Sequence, residues 1–172
     1  MSTGLGYPFE TLMQIIDEVP SIRAIKDWCN DPALHEKHTQ VLQYRSTPVN
    51  VLTTHSAWLL GSLAMGAKGL LSGAGSVVAD LQVAMFNAIQ QNDLQTAREL
   101  NERYRPMAQA FYAPPFLDMH NRMKECLALL GRVPEAVVRP PLMKLPDAEI
   151  KSLAAALREA GIEREGAFTK AA

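Results

Sequence analysis

A lysine follows a short apolar run in the segment "SIRAIKDWCND", where Lys26 comes directly after Ile25. Burying an ammonium group is costly, so a lysine in such a place needs either solvent or a chemical purpose. A partly desolvated lysine amine can lose its proton, attack a ketone and form a Schiff base. On the local sequence alone, a solvated lysine at the end of a strand is the simpler interpretation. The catalytic interpretation requires that the strand end at a pocket.

A glycine-rich stretch, "LLSGAGS", ends at Ser76 and falls between an apolar run and a helical pattern. Glycines allow a ligand to approach the backbone closely, and the N–H groups at the start of the next helix favour an anion. The stretch lacks both the dinucleotide-binding pattern and the lysine of a phosphate-binding loop, so a nucleotide site is weakly supported. A tight turn between strand and helix explains it equally well.

Three histidines could also take part in chemistry. His35 and His38 in "LHEKH" are three residues apart and have no third metal ligand nearby in the sequence, so we expect them on a solvated helix face. His55 follows an apolar run, where it could line a pocket or serve as a hydrogen-bonded turn residue. The chain contains no G-x-S-x-G pattern, so a serine hydrolase elbow is unsupported.

The composition is that of an ordinary soluble domain. The 172 residues are 48% hydrophobic and 20% charged, and the formal net charge is −1. This balance argues against nucleic acid as the main partner. Two cysteines without paired spacing indicate reduced thiols, and neither a signal peptide nor a membrane-spanning stretch is predicted. We therefore expect a cytoplasmic protein that binds neither nucleic acid nor membranes.

Helical and strand patterns alternate over the first part of the chain. Strands are predicted at residues 21–25, 48–53 and 68–72, with helices before, between and after them. Asp31-Pro32 is expected to start the helix 32–43, and Ser56 to cap the helix that Gly66 ends. Such alternation predicts parallel pairing through right-handed crossovers and an α/β fold.

From residue 92 onward the pattern changes to amphipathic helices joined by proline-containing segments. We therefore predict an α/β part over residues 1–91 and a helical segment over residues 92–172. A sheet of three parallel strands leaves both edges unpaired, although parallel strands normally lie inside larger sheets. The α/β part is thus expected to be a piece of a wider sheet.

Four segments taken together resemble one known family. The segments "PFETLMQIIDEVPSIRAIKD", "VLTTHSAWLLGSLAMGAKGLLSGAGSV", "ARELNERYRPM" and "VVRPPLMKLPDAEIKSLAAALREAGI" are similar, in the same order, to the dihydrodipicolinate synthase / N-acetylneuraminate lyase family. Its members are (β/α)8 barrels that act as class I Schiff-base lyases on pyruvate and related 2-oxo acids. The resemblance implies that residues 1–91 hold strands six to eight of such a barrel and that a helical segment follows.

The resemblance also implies roles for individual residues. Lys26 in "AIKD" corresponds to the Schiff-base lysine of the sixth strand, and Leu71 is expected to present its backbone carbonyl near the bound oxo acid. Gly73 belongs to the same eighth-strand segment and is expected among the substrate-binding residues. Trp28 and His55 fall where relatives vary with their substrate. The family commonly has glycine and aspartate where this chain has Thr54 and His55.

The resemblance begins just past the fifth strand, so the carboxylate-binding threonine pair and the proton-relaying tyrosine of the family have no counterpart here. A closed barrel needs about 250 residues. The implied function is that of a lyase, aldolase or dehydratase on pyruvate or a related 2-oxo acid, inactive as this chain alone and requiring no metal or other cofactor. We expect a homo-oligomer or association with a chain that supplies the missing strands. The alternative is a non-catalytic oligomerisation or regulatory module that pairs with a full-length relative.

Overall fold

The computed structural model describes residues 6–163, which form two compact units. The boundary follows Ser72, so the first unit comprises residues 6–72 and the second comprises residues 73–163. The sequence predicted a division at residue 91 instead, and the helix that precedes this position is grouped with the C-terminal helices. The outermost residues of both predicted parts, 1–5 and 164–172, lie outside the described residues.

The first unit alternates helices and strands, as its pattern predicts. Its elements are, in chain order, α1 (Phe9–Glu18), β1 (Ala24–Asp27), α2 (Pro32–Gln43), β2 (Asn50–Thr53), a 3-10 turn (Ser56–Trp58), α3 (Leu59–Ala64) and β3 (Gly69–Leu70). The strands form one parallel sheet in the order β1-β2-β3. The predicted parallel α/β arrangement of this part is confirmed.

The two faces of this sheet have different surroundings. Ile25 and Val51 are register partners and pack with the buried Ile16 of α1 and Leu42 of α2. Side chains alternate between the faces of a sheet, so Lys26 lies on the opposite face. There the side chain of Lys26 is exposed, and that of its register partner Leu52 is half-buried.

Local sequence explains where the helices begin and end. The Asp31 carboxylate accepts hydrogen bonds from the N–H groups of Ala33 (2.9 Å) and Leu34 (3.2 Å), and Pro32 takes the first helical position. α3 is followed by Gly66, whose φ of +103° is a conformation that residues with a Cβ avoid. The predicted start of α2 and the predicted stop at Gly66 are both observed.

Two local predictions are corrected. The first strand runs from Ala24 to Asp27 rather than over residues 21–25, so Lys26 is part of the strand and not beyond its end. Ser56 makes no capping hydrogen bond, and its hydroxyl instead contacts the Ser72 hydroxyl. Pairing with β2 draws residues 26 and 27 into the ladder, which a search for apolar residues alone cannot detect.

The second unit is helical. It contains α4 (Gly75–Gln90), α5 (Leu94–Phe111), a 3-10 turn (Phe116–Asp118), α6 (Met119–Leu129) and α7 (Asp147–Glu159). Its buried core includes Met85 of α4, Phe111 of α5 and Leu153 of α7. The Arg122 guanidinium is buried too and pairs with Glu149 at 2.6 Å. Among residues 6–163, no helix has the length and apolar character needed to cross a bilayer.

Candidate functional site

Lys26 occupies the next-to-last position of β1, at the carboxyl end of the sheet. In a closed barrel, the face that turns away from the helices is the interior, and active sites lie at the carboxyl ends of the strands. The position of Lys26 satisfies both conditions. Lys26 therefore lies where the interior of a closed barrel would be, and its side chain is exposed among the described residues.

Leu71 follows the end of β3, and its N–H donates a 2.8 Å hydrogen bond to the Thr53 carbonyl of β2. It therefore continues the parallel pairing of β3 by one residue, at the same end of the sheet as Lys26. Trp28 directly follows β1 and is half-buried. The structure thus brings Lys26, Trp28 and Leu71 to the carboxyl end of the sheet.

Gly73 begins the second unit, two residues before α4. It is exposed, and a Cβ at this position would lie 3.4 Å from the Met123 sulfur and 3.5 Å from the His120 ring. These are close to ordinary van der Waals distances, so a Cβ at this position would pack against the two side chains.

His55 is placed differently from the other predicted site residues. It is only 2% exposed, and its ring stacks on Trp58 with centroids 4.4 Å apart. Its Nε2 lies 3.8 Å from Asp27 Oδ1. Asp27 belongs to the helix-covered face of the sheet, so His55 and Lys26 lie on opposite sides of it.

His55 is one member of a buried polar group that we call the Asp27 cluster. The cluster has one aspartate at its centre, and its other members are Cys29, His35, His38 and His55. Asp27 Oδ2 is 2.7 Å from His35 Nδ1 and 3.0 Å from His38 Nδ1. Asp27 Oδ1 accepts the backbone N–H of Cys29 at 3.0 Å. One carboxylate thus connects the end of β1, the loop after it and helix α2.

Further hydrogen bonds extend the cluster to the second strand and the third helix. His35 Nε2 lies 2.7 Å from the Ser62 hydroxyl, which donates to Thr53 Oγ1 at 2.6 Å. Thr53 Oγ1 also accepts the backbone N–H of His55 at 3.1 Å. His35 is therefore held at both ring nitrogens, which fixes the orientation of its imidazole.

The electrostatics of the cluster favour a charged aspartate. Burial by itself would raise the pKa of the Asp27 carboxyl, but hydrogen bonds from the surrounding imidazoles hold that pKa well below its usual range. Asp27 is therefore ionised at neutral pH although it is only 3% exposed. A buried carboxylate of this kind requires positive or hydrogen-bonding partners on every side.

The pKa of the Cys29 thiol is shifted in the direction opposite to that of Asp27. Burial and the nearby charges of Asp27 and Asp31 raise the pKa of its thiol to about 12. Its sulfur lies 3.3 Å from the Asp31 carbonyl oxygen and 3.7 Å from His55 Nε2. Cys29 is thus a neutral thiol in the described arrangement, not an activated nucleophile.

The expectation that the two histidines of α2 lie on a solvated helix face is wrong. His35 is fully buried and His38 is 5% exposed, because the imidazoles of both residues point from α2 toward the carboxylate of Asp27 in β1. Spacing along one helix cannot reveal an acceptor that a strand supplies. The sequence held one signal, since three of its four histidines and one of its two cysteines fall within residues 29–55.

Comparison with known proteins identifies the family. Residues 2–160 match the Dihydrodipicolinate synthetase family. A curated relative, 4-hydroxy-tetrahydrodipicolinate synthase from Acidobacterium capsulatum, is 30% identical over 159 residues, which are 90% of this chain and 50% of the relative. The chain therefore spans about half the length of the curated relatives that it matches.

Solved structures agree on the fold. Dihydrodipicolinate synthase from Bacteroides thetaiotaomicron superposes with a TM-score of 0.78 at 22% identity, covering 92% of this chain and 53% of that chain. A prophage protein of the dihydrodipicolinic acid synthase family from E. coli, solved in complex with pyruvate, gives a TM-score of 0.76 at 21% identity, covering 87% and 49% respectively. The fold is accordingly the C-terminal part of a (β/α)8 barrel followed by helices, as the resemblance implied. The chain belongs to the Dihydrodipicolinate synthetase family.

Proposed function

We propose that this chain supplies the Schiff-base half of a lyase, aldolase or dehydratase that acts on pyruvate or a related 2-oxo acid. Lys26 is the proposed nucleophile. The observation that carries the proposal is its position, near the carboxyl end of β1 and on the sheet face opposite the helices. That face is the interior of a closed barrel. Family membership supports this chemistry, because the matched relatives are named 4-hydroxy-tetrahydrodipicolinate synthase and one similar structure of the family was solved in complex with pyruvate.

In the proposed reaction the neutral Lys26 amine attacks the ketone carbon of the 2-oxo acid. A carbon–nitrogen bond forms, the carbon–oxygen bond breaks, and the ketone oxygen leaves as water with the two protons of the amine; one proton taken up from solvent leaves the imine protonated. This iminium withdraws the electron pair from a bond at the adjacent carbon, which permits cleavage, condensation or dehydration. The iminium is itself the electron sink, so the reaction needs no separate cofactor.

The remaining site residues are proposed to position the substrate. Leu71 would offer its backbone carbonyl, and Gly73 would leave space for the ligand in the same segment. Trp28 would line the pocket beside Lys26. That His55 contacts the substrate is a prediction from the family resemblance alone. In the structure its imidazole is buried beside Asp27, on the side of the sheet opposite Lys26.

Turnover is proposed to need residues that correspond to the other half of the relatives. The threonine pair that holds the substrate carboxylate and the proton-relaying tyrosine belong to that half of the family. We infer that residues 1–172 alone have little or no activity, and that a homo-oligomer or a chain with the remaining strands completes the site. The proposed setting is the cytoplasm, where 2-oxo acids are available.

A borohydride-trapping experiment tests the role of Lys26. This chain is joined to the preceding half of the Acidobacterium capsulatum relative, incubated with pyruvate and borohydride, and digested for mass spectrometry. We expect the reduced adduct on the peptide that contains Lys26. Lys26→Ala should abolish the adduct, whereas Lys68→Ala, an exposed lysine just before β3, should retain it.

Circular dichroism verifies that each chimaera is folded. A folded chimaera that gives no adduct, or an adduct at another lysine, would refute the assignment. Stable trapping by residues 1–172 alone would contradict the inactivity of the isolated chain. Once Lys26 is established, a panel of 2-oxo acids measured with the active chimaera identifies the substrate.

A non-catalytic assembly role is the second candidate. It is favoured by large apolar side chains exposed on the helical unit, of which Leu117 is 80% and Met143 is 78% exposed. Such side chains are typical of surfaces that contact another protein. Light scattering that shows a monomer at all concentrations, alone and with a full-length relative, would contradict this role.

A further inference from the structure

We propose that Asp27, Cys29, His35 and His55 form a structural zinc-binding site behind the carboxyl end of the sheet. Each of these residues offers one ligand atom, and the four atoms lie within 4.8 Å of one another. Three of the residues are buried and Cys29 is half-buried. The site is separate from the proposed Schiff-base chemistry, because Lys26 lies on the opposite face of the sheet.

Two of the ligand pairs are spaced nearly as a tetrahedral ion requires. Zinc bonds of about 2.3 Å to sulfur and about 2.0–2.1 Å to nitrogen and oxygen place a sulfur and a nitrogen about 3.5 Å apart, and a nitrogen and an oxygen about 3.3 Å apart. Cys29 Sγ is 3.7 Å from His55 Nε2, and His55 Nε2 is 3.8 Å from Asp27 Oδ1. Both pairs need only small movements to share an ion.

The donor set selects the metal. One thiolate, two imidazoles and one carboxylate favour zinc over calcium or magnesium, which take oxygen ligands. Four protein ligands leave no open position for water or substrate. The site is therefore of the closed, structural kind.

His35 and Asp27 already contact each other directly. His35 Nδ1 lies 2.7 Å from Asp27 Oδ2, which is a hydrogen-bond distance and shorter than the separation of about 3.3 Å expected for two zinc ligands of this kind. A bound zinc ion would therefore replace this hydrogen bond, and the imidazole and the carboxylate would have to move apart by about 0.6 Å.

The geometry does not suit a cysteine–histidine catalytic pair. In such a pair the orienting carboxylate binds the ring nitrogen that does not face the sulfur. Here the same nitrogen, His55 Nε2, is nearest to both Cys29 Sγ and Asp27 Oδ1. The three groups converge on one point, as ligands do, and do not form a relay.

The site would join four separate parts of the first unit. Its ligands come from the end of β1, the loop after β1, helix α2 and the turn after β2. His38 would keep its hydrogen bond to Asp27 Oδ2 and so orient the carboxylate. A zinc ion at this place would hold the end of β1, and with it the backbone of the adjacent Lys26, in a defined position.

Metal analysis and cobalt spectroscopy test the proposal on the 172-residue chain. After purification from zinc-supplemented medium, we expect about one zinc ion per chain, as a closed four-ligand site binds a single ion. Replacement by Co²⁺ should produce a sulfur-to-metal charge-transfer band in the near ultraviolet. Zinc should also protect Cys29 from alkylation, measured by peptide mass spectrometry.

Matched variants separate ligation from folding. Cys29→Ala and His55→Ala should each weaken zinc binding by more than about 100-fold, because each removes a ligand. Cys126→Ala and His120→Ala, which change the cysteine and the histidine that lie outside the Asp27 cluster, should leave zinc binding unchanged. Competition with a chromophoric chelator measures the affinities, and circular dichroism establishes that each variant is folded.

A folded wild-type chain that retains no zinc, shows no charge-transfer band and leaves Cys29 equally open to alkylation with and without zinc would overturn the proposal. Zinc binding that survives Cys29→Ala but is lost in Cys126→Ala or His120→Ala would also overturn it, because the ligands would then lie elsewhere. None of these measurements depends on whether Lys26 forms a Schiff base.

Discussion

The first compact unit and the second differ in what they bury. Among the described residues, the first unit buries eight polar or charged side chains and seven apolar ones, whereas the second buries four polar or charged side chains and twenty apolar ones, Pro106 included. A buried polar group stabilises a fold only when its hydrogen bonds are made, while apolar burial needs only close packing. The first unit therefore depends on matched partners around Asp27, and the second depends on the volume of its core.

The largest effect is expected from a cavity in the helical unit. Phe111→Ala should lower the free energy of unfolding by about 4 kcal/mol, because the ring is fully buried in the core. Urea unfolding followed by far-ultraviolet circular dichroism measures the loss. Phe116→Ala is the matched control, since this side chain is 41% exposed and should cost less than about 1 kcal/mol. Equal losses in the two variants would contradict the picture of an apolar core around Phe111.

A somewhat smaller loss of stability is expected when Asp27, at the centre of the polar network of the first unit, is replaced. Asp27→Ala, measured with a metal chelator present, should cost about 2–3 kcal/mol because the buried imidazoles lose their acceptor. Fluorescence reports this unit, since Trp28 and Trp58 are the only tryptophans in the sequence. Asp17→Ala removes an exposed pair with Arg45 and should cost at most about 1 kcal/mol. If Asp27→Ala were as mild as this control, the polar network would not hold the unit together.

The smallest expected effect is a dependence of stability on pH, caused by the Asp93 carboxylate at the start of α5. Asp93 accepts hydrogen bonds from the Thr96 hydroxyl at 2.7 Å and from its N–H at 3.0 Å, which lower the pKa of the Asp93 carboxyl. A lowered pKa in the folded state means that the stabilisation is present above the unfolded value of about 4 and is lost as the pH falls below it. Thermal midpoints of wild type and Asp93→Asn should therefore converge in acid.

Asp118→Asn is the control for this titration, because Asp118 stands at the start of α6 but makes no capping hydrogen bond through its side chain. Its thermal midpoint should follow that of the wild type at every pH. A constant difference between wild type and Asp93→Asn down to the acid end would show that the charge of Asp93 is not what stabilises the helix.

Predictability from the sequence differed between helices and strands. Helix α2 spans residues 32–43 as expected, because the Asp31 cap and Pro32 act within a few residues of the helix start. The first strand was misplaced by about three residues at its start, because its extent depends on pairing with β2. Local signals place a helix end, but the partner strand sets the ends of a short strand.

The candidate site shows the same contrast. Lys26 could be singled out because it follows an apolar run and matches a family motif, and its proposed role remains a prediction. His35 and His38 were expected in solvent, yet they lie at the centre of the buried network. Their acceptor, Asp27, stands next to Lys26 in the sequence, but only folding turns it toward α2.

The sequence by itself determined the order of the elements, the parallel pairing of the strands, the family, and the presence of a lysine near the end of β1. These follow from periodicity, capping and motif, which operate over short distances along the chain. Only the tertiary structure decided that Lys26 and Asp27, neighbours in the chain, face opposite sides of the sheet, and that three histidines and a cysteine gather around the aspartate. The physical reason is that a buried charge takes its partners from whichever elements pack against it, and packing is settled across the whole unit.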